Sequence, residues 1–350
     1  MRIAVDAMGG DYAPEAIVEG SLLAEPRSAN QLVLVGHEQR IREILRQHDR
    51  GSAMEVVHAP EAVSMDEPGP TAIRRKRDSS VSTAVRFLAE DKVQAVVSAG
   101  NTSATVAAAK HYLGLIAGIR RPALAVHIPT PTGRVLLLDA GANSEANAIH
   151  LAHSAALAHA YLEVAQEIVK PRVGLLNIGQ EPGKGKKQVQ RAFALLSRSA
   201  LNFIGNVEPQ EFFRDRADAV VCDGFVGNVL LKMYEGLLEN LPHFLGNQEA
   251  DASGPLMHIN HRIPSVYHYR SVGGAPLLGA RKVVVIAHGR SEAGAVANAI
   301  HLAGRLFAAN ICGRIEQLLE RDRLIADLKH HYTLLMVDQF RSRWGFPHRS

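Results

Sequence analysis

One local plan recurs along this chain and limits its fold more than any other feature. A short apolar run enters a turn of small and polar residues, and a helix-forming stretch follows. Ala95 to Lys110 (AVVSAGNTSATVAAAK) shows the plan most plainly. Ala95-Val96-Val97 reads as a buried strand, Ser98 to Ser103 as the turn, and Ala104 to Lys110 as the helix. Val135-Leu136-Leu137-Leu138-Asp139 likewise enters Ala140-Gly141-Ala142-Asn143-Ser144. Ala217 to Asp223 enters Gly224-Phe225-Val226-Gly227-Asn228, with Val229-Leu230-Leu231-Lys232 beginning the next helix. Unbroken apolar runs suit strands buried on both faces, as in a parallel sheet covered by helices. Repeated strand–turn–helix units predict an α/β fold with a mostly parallel sheet.

Most of the remaining sequence keeps this rhythm. Arg2 to Asp6 is a strand that ends in the Gly-rich turn Ala7 to Asp11. Pro14 then opens a helix where its missing N–H costs little. Gln31 to Gly36 and Met54 to His58 are strands, with a helix between them over Glu38 to His48. Further strands are expected at Arg121–Pro129, Arg172–Ile178, Leu201–Glu208 and Arg281–Ala287. Helices are expected at Val81–Glu90, Asn147–Lys170, Gln188–Arg198 and Ala293–Phe307, and helical spacing continues to about Leu335. Gly273 to Gly279 reads as a closing loop. Two regions break the pattern. Ala62 to Ser80 holds Pro68 and Pro70 and then the basic run Arg74-Arg75-Lys76-Arg77. Pro242 to Val272 mixes apolar residues with His, Arg and Tyr and reads as an excursion. No linker is visible. The expected organisation is one α/β domain over residues 1–335, with an excursion at about 242–272 and a basic tail over 336–350.

Composition supports a large core. Hydrophobic residues make up 47% of the 350 and charged residues 21%, which argues against general disorder. The net charge of +4 is compatible with an anionic substrate or surface. Cys222 and Cys312 lack metal-ligand spacing, and a reduced, cytosolic setting is expected. His150, His153 and His159 invite a metal reading, but no carboxylate completes the set at ligand spacing. No metal and no cofactor is expected. The N-terminal segment meets Asp6 too early for a secretory signal, and no apolar run reaches transmembrane length.

The candidate site follows from the turns. Strand ends gather Asp6, Asn101, Asp139, Asn143, Asn177, Asp223, Asn228 and His288, and open parallel sheets bind ligands at those ends. Gly100 to Ser103 offers backbone N–H groups and hydroxyls at a helix N-terminus, which suits an anion. The same Asn101, Thr102 and Ser103 also suit plain helix capping. Gly179 to Lys187 (GQEPGKGKK) is like a phosphate loop but fails the nucleotide pattern. Three residues, not four, separate Gly179 from Gly183-Lys184, and Gly185 stands where Ser or Thr is required. It reads as a flexible basic loop near an anion. No Gly-x-Gly-x-x-Gly follows a strand, and no Gly-x-Ser-x-Gly elbow exists. A dinucleotide dehydrogenase and a serine hydrolase are therefore disfavoured. Cys222 adjoins an acid inside a strand, a poor setting for a thiolate nucleophile.

Motifs through the chain resemble those of the bacterial phosphate acyltransferases. They are VDAMGGDYAPE, MDEPGPTAIRRKRDSS, VSAGNTSATVAAAK, RPALA, LLDAGAN, PRVGLLNIGQE with PGKG, NFIGNVE, VVCDGFVGN with LLKMYEG, GGAPLLG and VVIAHG. They fall in the family's order over nearly all of residues 1–310. Three places depart from its usual pattern: Ser103, which replaces a Gly, Ser144-Glu145-Ala146, and Val226, which replaces a Thr. The resemblance implies a three-layer α/β/α Rossmann-like fold akin to phosphotransacetylases. It implies transfer of a long-chain acyl group from acyl carrier protein to inorganic phosphate. The acyl phosphate product would serve glycerol 3-phosphate acylation in phospholipid synthesis. A homodimer, cytoplasmic and peripherally bound to the inner face of the cell membrane, with no nucleic-acid partner, is also implied.

In that reading phosphate is the nucleophile, so no covalent enzyme intermediate is needed, and positioning with preorganised donors carries the rate. The expected catalytic set is Lys184, Asn228, His288 and Asp223. The expected substrate-binding set is Asp6, Gly9, Gly10, Lys76, Gly100, Asn101, Thr102, Ser103, Asn143 and Asn177. Phosphate would rest on Gly100–Ser103 with help from Lys184 and Lys76, and Asn228 or His288 would donate to the thioester oxyanion. Asp6 and Asp223 would orient loops and lysines. Leu230, Leu231 and the excursion would line an acyl groove, and Arg74, Arg75 and Arg77 would attract the acidic carrier. Two rivals remain: a phosphotransacetylase-like enzyme using acyl-coenzyme A, and a non-catalytic acyl- or carrier-binding scaffold.

Overall fold

The computed structural model describes residues 1–24, 31–48, 54–244 and 273–344. In chain order its elements begin with β1 (Arg2–Asp6), α1 (Glu15–Ala24), β2 (Gln31–Gly36), α2 (Glu38–Leu45), β3 (Glu55–His58), α3 (Gly69–Arg75) and α4 (Ser80–Ala89). Next come β4 (Ala95–Ser98), α5 (Thr102–Ala108), β5 (Ala123–Leu124), β6 (Val126–Thr130), β7 (Gly133–Leu138), α6 (Ala148–Gln166), β8 (Val173–Leu176) and α7 (Lys187–Leu196). The chain continues through β9 (Phe203–Val207), β10 (Ala219–Val221), α8 (Gly224–Phe244), β11 (Ala275–Leu278), β12 (Val283–Ile286), α9 (Ala293–Ala308), α10 (Ile311–Arg321) and α11 (Leu324–Trp344). It forms two compact units, Met1–Gly114 with Val226–Asn310, and Leu115–Phe225 with Ile311–Ser350.

In the first unit the strands run β3-β2-β1-β4-β12-β11. All neighbours are parallel except β11, which runs against β12 with Ala275 opposite Ile286. Asp6 of β1 and Ile286 of β12 both stand opposite Ser98 of β4. That register brings the carboxyl ends of three adjacent strands to one level. Ile3, Val33, Leu34 and Val96 have no solvent exposure. Burying each such side chain favours folding by about 1.5–3 kcal/mol. Helix α9 packs on α1, β4 and β12, and α4 packs on β1, β2 and β4.

In the second unit the strands run β6-β7-β10-β8-β9, with β6 antiparallel to β7 and the others parallel. Helix α6 contacts β7, β8 and β10 as well as α7, α10 and α11. It is buried on nearly every face, as expected of a helix apolar all round. Asn147 caps it by accepting the His150 N–H at 3.0 Å, while His150 Nδ1 accepts the Asn147 N–H at 3.4 Å. This reciprocal cap gives His150 a structural role.

The structure differs from the sequence reading in definable places. Residues 69–75 form a helix inside the Ala62–Ser80 stretch, with Pro68 at its N-cap and Pro70 in its first turn. The stretch expected as one strand from Arg121 to Pro129 splits into β5 and β6. Helix α6 stops at Gln166, with Glu167 left-handed, rather than at Lys170. Gly224–Asn228 is the start of α8, not a turn before it. Ala275–Leu278 is a strand, not a closing loop. Of the expected excursion at 242–272, residues 242–244 end α8 and the remainder lies outside the described residues. Of the expected tail, residues 336–344 prolong α11 and 345–350 lie outside them. No single helix among the described residues is long and apolar enough to cross a membrane.

Candidate functional site

The first unit brings together the loops that follow β1, β4 and β12. Asp6 is 2% exposed at the end of β1. Its Oδ2 accepts the Ser98 hydroxyl at 2.7 Å and its Oδ1 the Met8 N–H at 3.3 Å. Burial pushes its carboxyl above the usual range, and these donors oppose the shift. The Ser98 Oγ in turn accepts the Gly100 N–H at 3.1 Å. Asp6 therefore ties the first loop to the second.

The loops then meet backbone to backbone. A Cβ on Gly9 would lie 2.6 Å from Asp6 Oδ2 and 2.7 Å from Gly100 N. Gly10 has φ +112° and lies between the carbonyls of Ala99 and Gly289. The Asp11 N–H donates to Gly289 O at 2.7 Å. Glycine is required at Gly9 for approach and at Gly10 for conformation.

Asn101 caps α5, its Oδ1 accepting the Ala104 N–H at 3.0 Å. Its Nδ2 donates to the carbonyls of Ser64, Met65 and Glu67 at 3.0, 3.1 and 2.8 Å. The whole amide is engaged within the protein, so this side chain builds the turn. Lys76 holds the same strap: its Nζ donates to Glu67 Oε1 at 2.5 Å and Ala62 O at 2.9 Å. Its hydrogen bond, with that of the Ser64 N–H, holds the Glu67 carboxyl below the usual range. Gly69 lies directly under the Ser103 and Ala104 backbone. What the turn leaves open is its backbone. The N–H groups of Thr102 and Ser103 have no acceptor among the described residues, and the Ser103 side chain is exposed.

His288, in the loop after β12, accepts the Arg290 N–H on Nδ1 at 3.1 Å, and its Nε2 stands 3.7 Å from Glu235 of α8. Burial and the nearby Lys232 and Arg290 push its pKa below the usual range. Asn228 is exposed in the second turn of α8. Val229, Met233 and Leu237 are exposed at four-residue spacing on the same helix.

The second unit carries the other expected residues. Asp139 is buried and accepts five hydrogen bonds. They come from the N–H groups of Leu124, Gly141, Ala142 and Asn143 and from the Asn143 side chain, at 2.8–3.0 Å. Asn143 Nδ2 also donates to Pro122 O at 2.6 Å, and its carbonyl accepts the Gly224 N–H at 2.8 Å. Asn143 thus joins the loops after β7 and β10, next to Asp223. Asn177 Nδ2 donates to Lys184 O at 3.0 Å. Asn206 Nδ2 holds Glu181 O at 2.9 Å, and Gln190 Nε2 holds Gly183 O at 2.6 Å. The basic loop is therefore braced through its carbonyls. Lys184 is exposed, and its ammonium has no ion pair among the described residues. Lys186 and Lys187 are exposed beside it.

Asp6, Gly9, Gly10, Lys76, Asn101, Asn143 and Asn177, all expected at the substrate, make contacts that shape the loops. Thr102, Ser103, Lys184, Asn228 and His288 are at least partly exposed, whereas Gly100 is buried and its N–H is taken by Ser98. The sequence reading passed over Glu235 and Asp11. A lone Glu in a helix reads as a surface residue, and no pattern flagged it. Cys222 is buried, and desolvation raises its thiol well above the usual range, so it is no nucleophile. Among the described residues no group of three His, Cys, Asp or Glu side chains is arranged for a metal.

A family profile described as "Fatty acid synthesis protein" matches residues 1–314. A phosphate acyltransferase of Syntrophobacter fumaroxidans is 55% identical over 353 residues, covering 100% of each chain. One from Desulforudis audaxviator is 42% identical over 90% of this chain and 95% of its own. Among solved structures, a phosphotransacetylase from Streptococcus pyogenes aligns with TM-score 0.58 at 15% identity, covering 89% of this chain and 94% of its own. A branched-chain phosphotransacylase from Enterococcus faecalis aligns with TM-score 0.53 at 15% identity, over 87% and 98%. These two structures share the fold.

Proposed function

The chain belongs to the fatty acid synthesis protein family of phosphate acyltransferases, and from that premise we propose that it moves a long-chain acyl group from acyl carrier protein to inorganic phosphate. The observation that carries this reading is the glycine-packed turn after β4, with the Thr102 and Ser103 N–H groups open above it. Backbone donors at a helix start suit a phosphate dianion. Lys184 supplies a mobile positive charge, and His288 or Asn228 supplies a donor to the developing oxyanion.

The chemistry needs no protein nucleophile. An oxygen of hydrogen phosphate attacks the thioester carbon, the C–O bond forms and the C–S bond breaks. The proton lost by phosphate ends on the departing thiol, so charge and atoms balance. The protein holds two anionic or electron-rich partners together, which makes orientation the main contribution. The product, an acyl phosphate, would feed glycerol 3-phosphate acylation.

A homodimer in peripheral contact with the inner face of the cell membrane is part of the same reading. The exposed Val229, Met233 and Leu237 support an apolar contact there. Sedimentation at micromolar concentration tests the dimer, and flotation with anionic vesicles tests the membrane contact. The decisive assay follows acyl phosphate formation from palmitoyl carrier-protein thioester and inorganic phosphate, with palmitoyl-coenzyme A as competitor. Phosphate-dependent product from the carrier thioester supports the reading. Product from the coenzyme A thioester alone would replace the donor, and no product from either would reject the function.

A further inference from the structure

The strap over residues 62–67 is fastened to the turn after β4. Asn101 Nδ2 holds the carbonyls of Ser64, Met65 and Glu67 at 3.0, 3.1 and 2.8 Å. Most side chains of the strap are committed to the protein. Val63 is buried. The Ser64 hydroxyl donates to Asp66, and Glu67 accepts the Ser64 N–H at 2.8 Å and the Lys76 ammonium at 2.5 Å. Met65 is the exception, and it is 46% exposed.

A lone exposed apolar residue ordinarily needs no explanation. Two placements set Met65 apart. Its carbonyl accepts from Asn101, the residue directly before the open N–H groups of Thr102 and Ser103. Its methyl end lies against the loop after β12. A Cβ on Gly289 would stand 2.7 Å from Met65 Cε and 3.9 Å from the next nearest atom. The residue thus spans from the turn after β4 to the loop after β12, and those two strands are neighbours in the sheet. A methionine side chain has three rotatable bonds, no hydrogen-bond donor and only a weak acceptor. It suits a flexible hydrocarbon better than an amide or a charge.

We propose that Met65 is a specificity-determining residue: its exposed thioether packs on the acyl methylenes next to the thioester carbonyl, not on the amide-bearing arm of the carrier. The proposal rests on the transfer reading above. In that reading the thioester carbonyl must sit against the bound phosphate for the C–O bond to form. The methylenes that follow the carbonyl then lie beside the turn to which Met65 is fastened.

Full-length wild type, Met65→Ser and Met65→Leu are compared in acyl phosphate formation from palmitoyl carrier-protein thioester and phosphate. Inhibition by the carrier protein bearing its free thiol, which lacks only the acyl chain, is measured on the same samples. In Met65→Ser, kcat/KM for the palmitoyl thioester is expected to fall about tenfold, with the free-thiol inhibition constant and the phosphate KM within about twofold. Met65→Leu is expected to recover most of that loss, since it restores an apolar side chain of similar volume. An unchanged kcat/KM in Met65→Ser would overturn the proposal. So would an equal weakening of the palmitoyl thioester and the free-thiol carrier, because Met65 would then meet the arm or the carrier itself. A wild type that forms no product from either thioester would instead reject the transfer reading, and this contact with it.

Discussion

The two units solve one construction problem with different emphasis. Each must hold loops rigidly at the carboxyl ends of parallel strands. The first combines close backbone approach, with Gly9 against Gly100 and Gly10 between two carbonyls, with the polar braces of Asp6 and Asn101. The second does so with polar side chains: Asp139 accepts five donors, and Asn143, Asn177 and Asn206 brace neighbouring carbonyls. A sterically built loop is vulnerable to a single added methyl. A loop built on hydrogen bonds is vulnerable to the loss of one acceptor.

The largest effect is expected at that acceptor. Asp139→Ala leaves four N–H groups and an amide without their partner in a buried site. An unsatisfied buried group costs about 1–3 kcal/mol, and partial solvation and loop movement relieve some of it, so a loss of about 4 kcal/mol is expected. Urea unfolding measures it. A loss below about 1 kcal/mol would mean that the network is dispensable.

Next comes the steric side of the comparison. Gly9→Ala places a carbon against the Gly100 backbone and should destabilise by about 2–3 kcal/mol. Gly183→Ala, in the basic loop of the second unit, meets nothing within 4 Å and should stay within about 0.5 kcal/mol of wild type. Equal effects of the two substitutions would erase the distinction between the units.

What the sequence revealed follows from the same contrast. Continuous apolar runs gave β1 and β2 their observed limits, and β4 and β12 to within one or two residues, because a strand buried on both faces needs no other signal. Small residues marked the loops after β1, β4 and β7, since only such residues tolerate close approach. The roles of individual side chains were not legible. Asn101 and Lys76 read as phosphate ligands, but their partners lie in the 62–67 strap, and only the folded chain brings it to them. Glu235 was missed because a burial that depends on tertiary packing leaves no local pattern. Pro276 concealed β11, although antiparallel pairing with β12 accommodates it.

A smaller effect separates catalysis from construction. Lys184 is exposed, so Lys184→Ala should leave stability within about 0.5 kcal/mol. It should raise the phosphate KM about tenfold, or roughly 1.4 kcal/mol, with little change in kcat if the ammonium serves mainly ground-state binding. Asn177→Ala should instead lower stability by about 1–2 kcal/mol, because Gly185 packs on its amide and Lys184 O loses a donor. Steady-state kinetics paired with urea curves distinguishes the ligand from the brace. A phosphate KM unchanged in Lys184→Ala removes that residue from the phosphate site.

The smallest expected effect concerns acid, and its larger part falls in the second unit. Burial lowers His127 to about 3 and His153 to about 4, against about 6.5 when unfolded. Well above the unfolded value of about 6.5 both rings are neutral in the folded and unfolded states, so neither changes stability there. Below pH 6.5 the unfolded chain binds protons that the folded chain refuses, and stability falls with pH until the folded values are reached. Between pH 7.5 and 5.5 each ring should cost about 1 kcal/mol. Neither nitrogen of His153 has a hydrogen-bond partner among the described residues, so His153→Leu removes a titrating group without breaking a bond seen there. Its loss of stability over that pH range should be about 1 kcal/mol smaller than that of wild type. Peptide-resolved hydrogen exchange should place the acid loss in β7 and β8 rather than in β1 and β4. Equal loss in both sets would show that acid acts through some other group, and the two units would then differ in how their loops are built but not in how they respond to protons.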